Sequence, residues 1–140
     1  MATQNRVSVN FVTIKRYICL KITKVLAANN IDLRAINVAE AQEYGVIRII
    51  VDNYEQALKV LNEHEYVNRS TPVVVVALKD EVGSLSNLLS DIQEGNFNIE
   101  YMYSIFSQID NRALMVLKVK EPEKLESMLL AKGYNNIENI

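Results

Sequence analysis

An α+β fold of two successive βαββαβ units is what this 140-residue sequence predicts. Three observations predict it. Short stretches of alternating or continuous apolar residues are interleaved with stretches whose apolar residues recur at helical spacing. Gly, Asn and Asp stand where one kind of stretch hands over to the other. The second half of the chain also repeats the first. Val7 falls on Val73, a shift of 66, with Val9 on Val75, Ile22 on Leu88, Leu26 on Ile92, Asn30 on Asn96, Ile31 on Phe97 and Leu33 on Ile99. Further on, Val51 falls on Val119, a shift of 68, with Glu55 on Glu123, Leu61 on Leu129 and Tyr66 on Tyr134. The two extra residues belong near Gln108 to Asn111. Internal repeats constrain the fold more than any single element does.

The first unit is expected over residues 6–70. Arg6 to Val12 reads as a strand, with Val7, Val9 and Phe11 alternating against Ser8 and Asn10. From about Lys15 or Arg16 to Asn29 a helix follows, marked by Ile18, Ile22, Val25 and Leu26. Ile31 to Val38 and Gly45 to Val51 are strands, the second rich in β-branched residues, and Glu40 to Gly45 fits a hairpin connection. Asp52 or Asn53 can cap the next helix, whose Ala57, Leu58, Val60 and Leu61 face a core before a turn at Glu65. Tyr66 to Arg69 completes the unit as a short fourth strand.

The second unit, residues 72–138, opens with an apolar strand from Val73 to Leu78. A polar turn, Lys79 to Gly83, leads into an amphipathic helix, and a strand from Phe97 to Tyr103 follows. Pro122 and the glutamates of Glu121 to Glu126 read as the solvated start of the last helix, because proline is tolerated in a first turn and Glu complements the dipole there. Right-handed crossovers place both helices of each unit on one face of a four-stranded antiparallel sheet, the ferredoxin-like arrangement. A unit of this size alone buries a limited share of its surface, and its edge strands invite pairing, so a homodimer is expected.

Composition narrows the function. With Lys plus Arg at 15, Asp plus Glu at 17 and a net charge of −2, no basic surface for nucleic acid is indicated. The single Cys19 cannot form an internal disulfide, which fits a reducing compartment. The N-terminus lacks the apolar region of a secretory signal, and no apolar run has the length of a membrane span, so a soluble cytoplasmic protein with no membrane partner is expected. One His and one Cys cannot supply the usual zinc ligands, and no cofactor motif is present. Without a G-x-S-x-G, H-E-x-x-H or P-loop pattern, the chain reads as a non-enzyme.

Several residues carry a family resemblance. LKDEVGSL at Leu78 to Leu85, GNFNIEYMYS at Gly95 to Ser104 and the helix after KEPEKLE at Lys120 to Glu126, together with the tandem halves, resemble the ACT domain, in particular small proteins made of two ACT repeats. The resemblance implies a regulatory module that binds an amino acid or another small metabolite where two such units meet, and passes that event to a metabolic enzyme or regulator. In ligand-binding members the turn reads like Asn-x-Pro-Gly, with an Asn in the next strand. Carried over, Asp80 takes the Asn position, Val82 the proline position, Gly83 the glycine and Asn98 the strand Asn. Gly83 and Asn98 match the pattern. Asp80 offers acceptors only, which suits a ligand's ammonium, and Val82 lacks proline's stiffness. In the first unit the same positions are Ile14, Arg16, Tyr17 and Asp32, with no glycine, so the second unit is the better site.

The candidate ligand-binding residues are therefore Asp80, Glu81, Val82, Gly83, Ser84, Asn98 and Met102. The physical basis is the helix start after Gly83. Its amides have no partner inside the helix and point their positive dipole end at an anion such as a carboxylate. A plainer reading gives Gly83 only a turn to relieve, Asn98 a place in solvent, and Tyr101 and Tyr103 a half-buried sheet face shared with Phe97 and Ile99. Cys19, aligned with Leu85, reads as a small core residue, and His64 as a helix-end residue suited to the carbonyl pole. Two other functions compete with sensing. One is a ligand-free oligomerisation or docking protein for a metabolic enzyme. The other is RNA binding through Tyr101 and Tyr103, which the absence of a basic surround disfavours.

Overall fold

The computed structural model describes residues 3–13, 18–40, 45–66, 68–106 and 112–134. They form β1 (Thr3–Thr13), α1 (Ile18–Ala28), β2 (Leu33–Glu40), β3 (Gly45–Val51), α2 (Tyr54–Glu63), β4 (Asn68–Lys79), α3 (Ser84–Glu94), β5 (Tyr101–Phe106), β6 (Arg112–Lys118) and α4 (Pro122–Ala131). The predicted start of α1, the hairpin tip after Glu40, the insertion near Gln108 to Asn111 and the residues beyond Tyr134 lie outside the described residues. The chain divides into two compact units, Val7–Thr71, and Pro72–Ile140 together with Met1–Arg6.

In the first unit β3 runs antiparallel to both β1 and β2, with Phe11 opposite Ile47 and Ile36 opposite Ile49. Alternation puts Ile47, Ile49 and Val51 on one sheet face. Ile22 and Leu26 of α1 and Ala57, Val60 and Leu61 of α2 pack onto it, with Cys19, Val25 and Leu58 at the margin. Cys19 is thus a partly buried packing residue with a free thiol. Asn53 caps α2, its side chain accepting from the Gln56 amide at 3.1 Å. Asp52 does something else: its Oδ1 accepts from the amide of Asp32 at 3.0 Å, tying the end of β3 to the start of β2.

The second unit repeats this. β6 runs antiparallel to β4 and β5, with Val76 opposite Met115 and Met102 opposite Leu117. Val74, Val76, Leu78, Met115 and Leu117 meet Leu88 and Ile92 of α3 and Leu125 and Leu129 of α4 in a second apolar core. The pairs aligned in the sequence, Ile22 with Leu88, Leu26 with Ile92 and Leu61 with Leu129, are all buried.

The four described helices end the same way. Asn30, Glu65 and Asn96 have φ of 55, 62 and 59°, and Gly133 has φ of 90°. After each, the next amide reaches back to the carbonyl five residues earlier: Ile31 to Leu26 at 3.0 Å, Tyr66 to Leu61 at 3.0 Å, Phe97 to Ile92 and Tyr134 to Leu129 at 3.2 Å. This is the Schellman closure, which satisfies the last carbonyls and turns an apolar side chain back onto the helix.

Three boundaries differ from expectation, and the closures explain two. Ile31 and Phe97 are used in ending α1 and α3, so β2 begins at Leu33 and β5 at Tyr101. The third difference is that the short strand at Tyr66 to Arg69 and the strand at Val73 to Leu78 are parts of one strand, β4. Pro72 pushes Thr71 into the extended region and is itself compatible with it, so nothing breaks the chain there.

A left-handed backbone costs a residue with a Cβ roughly 1–2 kcal/mol. Glu65→Gly is expected to raise stability by about 1 kcal/mol, and Gly133→Ala, where a Cβ meets nothing within 4 Å, to lower it by a similar amount. Urea denaturation of the two variants checks the opposite signs.

Candidate functional site

The turn joining β4 to α3 is built around Gly83. The Glu81 amide donates to the Lys79 carbonyl at 2.9 Å, and the Asn87 amide to the Gly83 carbonyl at 2.9 Å. Gly83 takes φ of 92° and ψ of −9°, occupies the N-cap of α3, and gives that helix no side-chain cap. A Cβ built there would meet nothing within 4 Å, so the backbone is open. Asp80, Glu81 and Val82 are exposed, Val82 completely, while Ser84, the first helical residue, is half-buried.

Asn98 is exposed but not in a strand. It lies in the irregular Phe97 to Glu100 link, whose Phe97 and Ile99 pack onto the second core. Tyr101 and Tyr103 stand opposite Lys118 and Val116, on the sheet face away from Met115 and Leu117. They therefore do not share a face with Phe97 and Ile99. The expected common face fails because the link resets the alternation before the ladder begins. The two tyrosine rings stack at 6.4 Å with a 10° interplanar angle. Met102, opposite Leu117, is on the helix-bearing face and 40% exposed. The structure thus presents Asp80 to Ser84 as one continuous turn, with Asn98 and Met102 on separate, later segments.

A concave pocket of about 270 Å³ lies within this unit, lined by Ala77, Leu78 and Lys79 of β4, Ser84, Asn87 and Asp91 of α3, Arg112 of β6, and Lys132 to Tyr134 after α4. Ser84 is the only sequence-predicted candidate among the lining residues. Asp91 organises one wall. Its Oδ2 accepts from the Tyr134 hydroxyl at 2.6 Å and its Oδ1 from Lys132 Nζ at 3.2 Å, while Lys132 also reaches Glu94 at 2.9 Å. The Tyr134 hydrogen bond, helped by Lys132, holds the Asp91 carboxyl below its ordinary value. Burial, then the bond to Asp91, pushes the Tyr134 phenol up, so it stays a donor. Contacts with Glu94 and Asp91 raise the Lys132 ammonium.

Sequence reasoning missed this wall, although one signal was available. Asp91 stands where the first unit has Val25, a shift of 66, so a polar residue replaces a core-margin residue in one repeat only.

A family model described as an ACT domain pair matches residues 2–140. The chain belongs to the ACT domain family. It is similar to a protein of known structure from Bacteroides thetaiotaomicron, at 26% identity over 96% of this chain and 93% of that one, with a TM-score of 0.87. The regulatory subunit of aspartate kinase from Thermus thermophilus, in its ligand-free form, shares 14% identity over 92% of this ACT pair and 93% of its own chain, with a TM-score of 0.65. Aspartokinase alpha and beta subunits give 18% identity over 92% and 93%, and a TM-score of 0.64. At those identities the likeness is one of fold. No curated protein matches the chain. Among the described residues of this ACT pair, no three His, Cys, Asp or Glu side chains gather as metal ligands, and no helix is long and apolar enough to cross a membrane.

Tyr134→Phe removes one charge-assisted hydrogen bond and is expected to cost about 1 kcal/mol at neutral pH. The Asp91 carboxyl is held below its ordinary value in the folded chain, so its contribution is complete above the ordinary carboxylate range and is lost as pH falls through the lowered value. The difference between wild type and variant should therefore shrink in acid. Urea midpoints measured from neutral pH downward check it.

Proposed function

We propose that this ACT pair, with repeats over residues 6–70 and 72–138, is a non-catalytic regulatory module of the cytoplasm that binds a small amino acid or related metabolite at an interface between ACT-like repeats. It acts as a homodimer that passes binding to a metabolic enzyme. The observation that carries the reading is the open, uncapped backbone at Gly83, which begins an 11-residue helix at left-handed φ. The uncapped first turn of α3 suits a ligand's carboxylate. Asp80 or Asn98 would face its ammonium, and Glu81, Val82, Ser84 and Met102 complete the assigned surface. Regulation would follow from a difference in ligand affinity between two assembly states.

A second reading is a ligand-free oligomerisation or docking protein for a metabolic enzyme. Exposed Leu20, Ile36 and Val38 in the first unit favour it.

A thermal-shift screen of the full chain against the amino acids separates the two. One amino acid should raise the melting temperature of wild type. Gly83→Val should abolish the shift, and Asp80→Ala, an exposed change that leaves the free protein's melting temperature in place, should weaken it. A complete panel without any shift would leave the docking reading.

A further inference from the structure

We infer that the outer edge of β2 is where two copies of this chain join, antiparallel, about a two-fold axis at Asn37. The inference rests on the homodimer proposed above and supplies the surface that makes it. Among the described residues, β3 pairs with β1 on one side and β2 on the other, and β2 ends the sheet. Such an edge offers a row of backbone amides and carbonyls to another strand. β2 is eight residues long and contains neither Pro nor Lys. Ile36 and Val38 stand opposite Ile49 and Ile47, on the helix-bearing face, yet are 43% and 54% exposed.

The order of residues selects a second copy over any other strand. The β2–β3 register is irregular between Leu33 and Ala35 and regular from Ala35 onward. The regular stretch Ala35 to Ala39 reads Ala-Ile-Asn-Val-Ala, nearly the same in both directions. Antiparallel pairing of two such strands about Asn37 sets Ile36 against Val38 of the partner subunit, Ala35 against Ala39 of the partner subunit, and Asn37 against its own mate. β-Branched residues then meet on one side of the sheet, and on the other an amide, which both donates and accepts, meets an amide. The next positions outward are Arg34 and Glu40, so opposite charges flank the stretch at both ends. Arg34 Nε lies 3.3 Å from Asp32 Oδ2 in an exposed pair, and exposed pairs hold a side chain weakly. The edge of the second unit lacks this symmetry: at a shift of 66, Ile36 and Val38 fall on Met102 and Ser104, and Arg34 and Glu40 on Glu100 and Phe106.

Analytical ultracentrifugation of the full chain tests it, and a dimeric wild type is expected. Val38→Lys, a change at an exposed position, should raise the dimer's dissociation constant by about tenfold or more. Arg34→Glu and Glu40→Arg should each weaken the dimer to a similar degree, because each sets like charges opposite one another. Mixed in equal amounts, the two charge variants should regain a dimer, since each then meets its complement. That recovery also shows that both variants fold. A monomeric wild type overturns this interface and the homodimer together. A dimer that Val38→Lys leaves intact, or charge variants that associate no better mixed than alone, overturns the interface and leaves the homodimer and the ligand reading at Gly83 standing.

Discussion

The left-handed residue that ends each described helix is the constraint on which this architecture depends. A ferredoxin-like unit must reverse direction after each helix within a few residues and begin the next strand in register. Here Asn30, Glu65, Asn96 and Gly133 make that reversal, and the residue after each is apolar: Ile31, Tyr66, Phe97 and Tyr134. Those four side chains pack onto the two cores. One backbone device thus satisfies helix carbonyls and adds apolar burial in the same step. Three of the four use a residue with a Cβ, so the closure and the burial it brings outweigh the strain. The arrangement recurs at matching positions in both halves, which is stronger support for a duplicated unit than the similarity of apolar residues alone.

The starts of the described helices vary more than their ends, and α3, like α4 after Glu121, has no side-chain cap. At α2, Asn53 supplies a side-chain oxygen to the helix it precedes. At α3, Gly83 supplies none and holds a positive φ. Gly at an N-cap gives up only about a few tenths of a kcal/mol relative to Ser, Asp or Asn. Asp80 stands only three residues away and does not cap. The turn leaves the backbone open at Gly83, with nothing within 4 Å of where a Cβ would stand, at little cost in stability.

Much of this was legible in the sequence, for reasons that particular residues make plain. Ile22, Leu26, Leu88 and Ile92 fall at helical spacing because one stripe of each helix is buried, and Gly45 to Val51 is apolar because its strand is central. The strand at Phe97 to Tyr103 misled because Phe97 and Ile99 alternate as a strand would, although they serve the end of α3. The joining of two predicted strands into β4 was hidden because Thr71-Pro72 resembles a punctuation mark while permitting extended backbone. The polar pocket was least legible. Its residues come from β4, α3, β6 and the end of α4, and no local pattern links Lys79 to Arg112 or Asp91 to Tyr134.

The two repeats differ most where they are otherwise aligned. In the first, Val25 packs at the core margin, and the ring Nδ1 of His64 lies 2.9 Å from the Val60 carbonyl, so the end of α2 closes on itself. In the second, Asp91 and Lys132 hold the same positions, shifts of 66 and 68, and join α3 to the end of α4. Partly exposed ion pairs contribute little, about 0–1 kcal/mol, and an opposed Lys79 and Arg112 work against the ladder. Stability therefore gives no reason for this concentration of charge. A duplicated fold permits it: among the described residues, a cluster of ten buried apolar residues holds the second unit together without help from the wall.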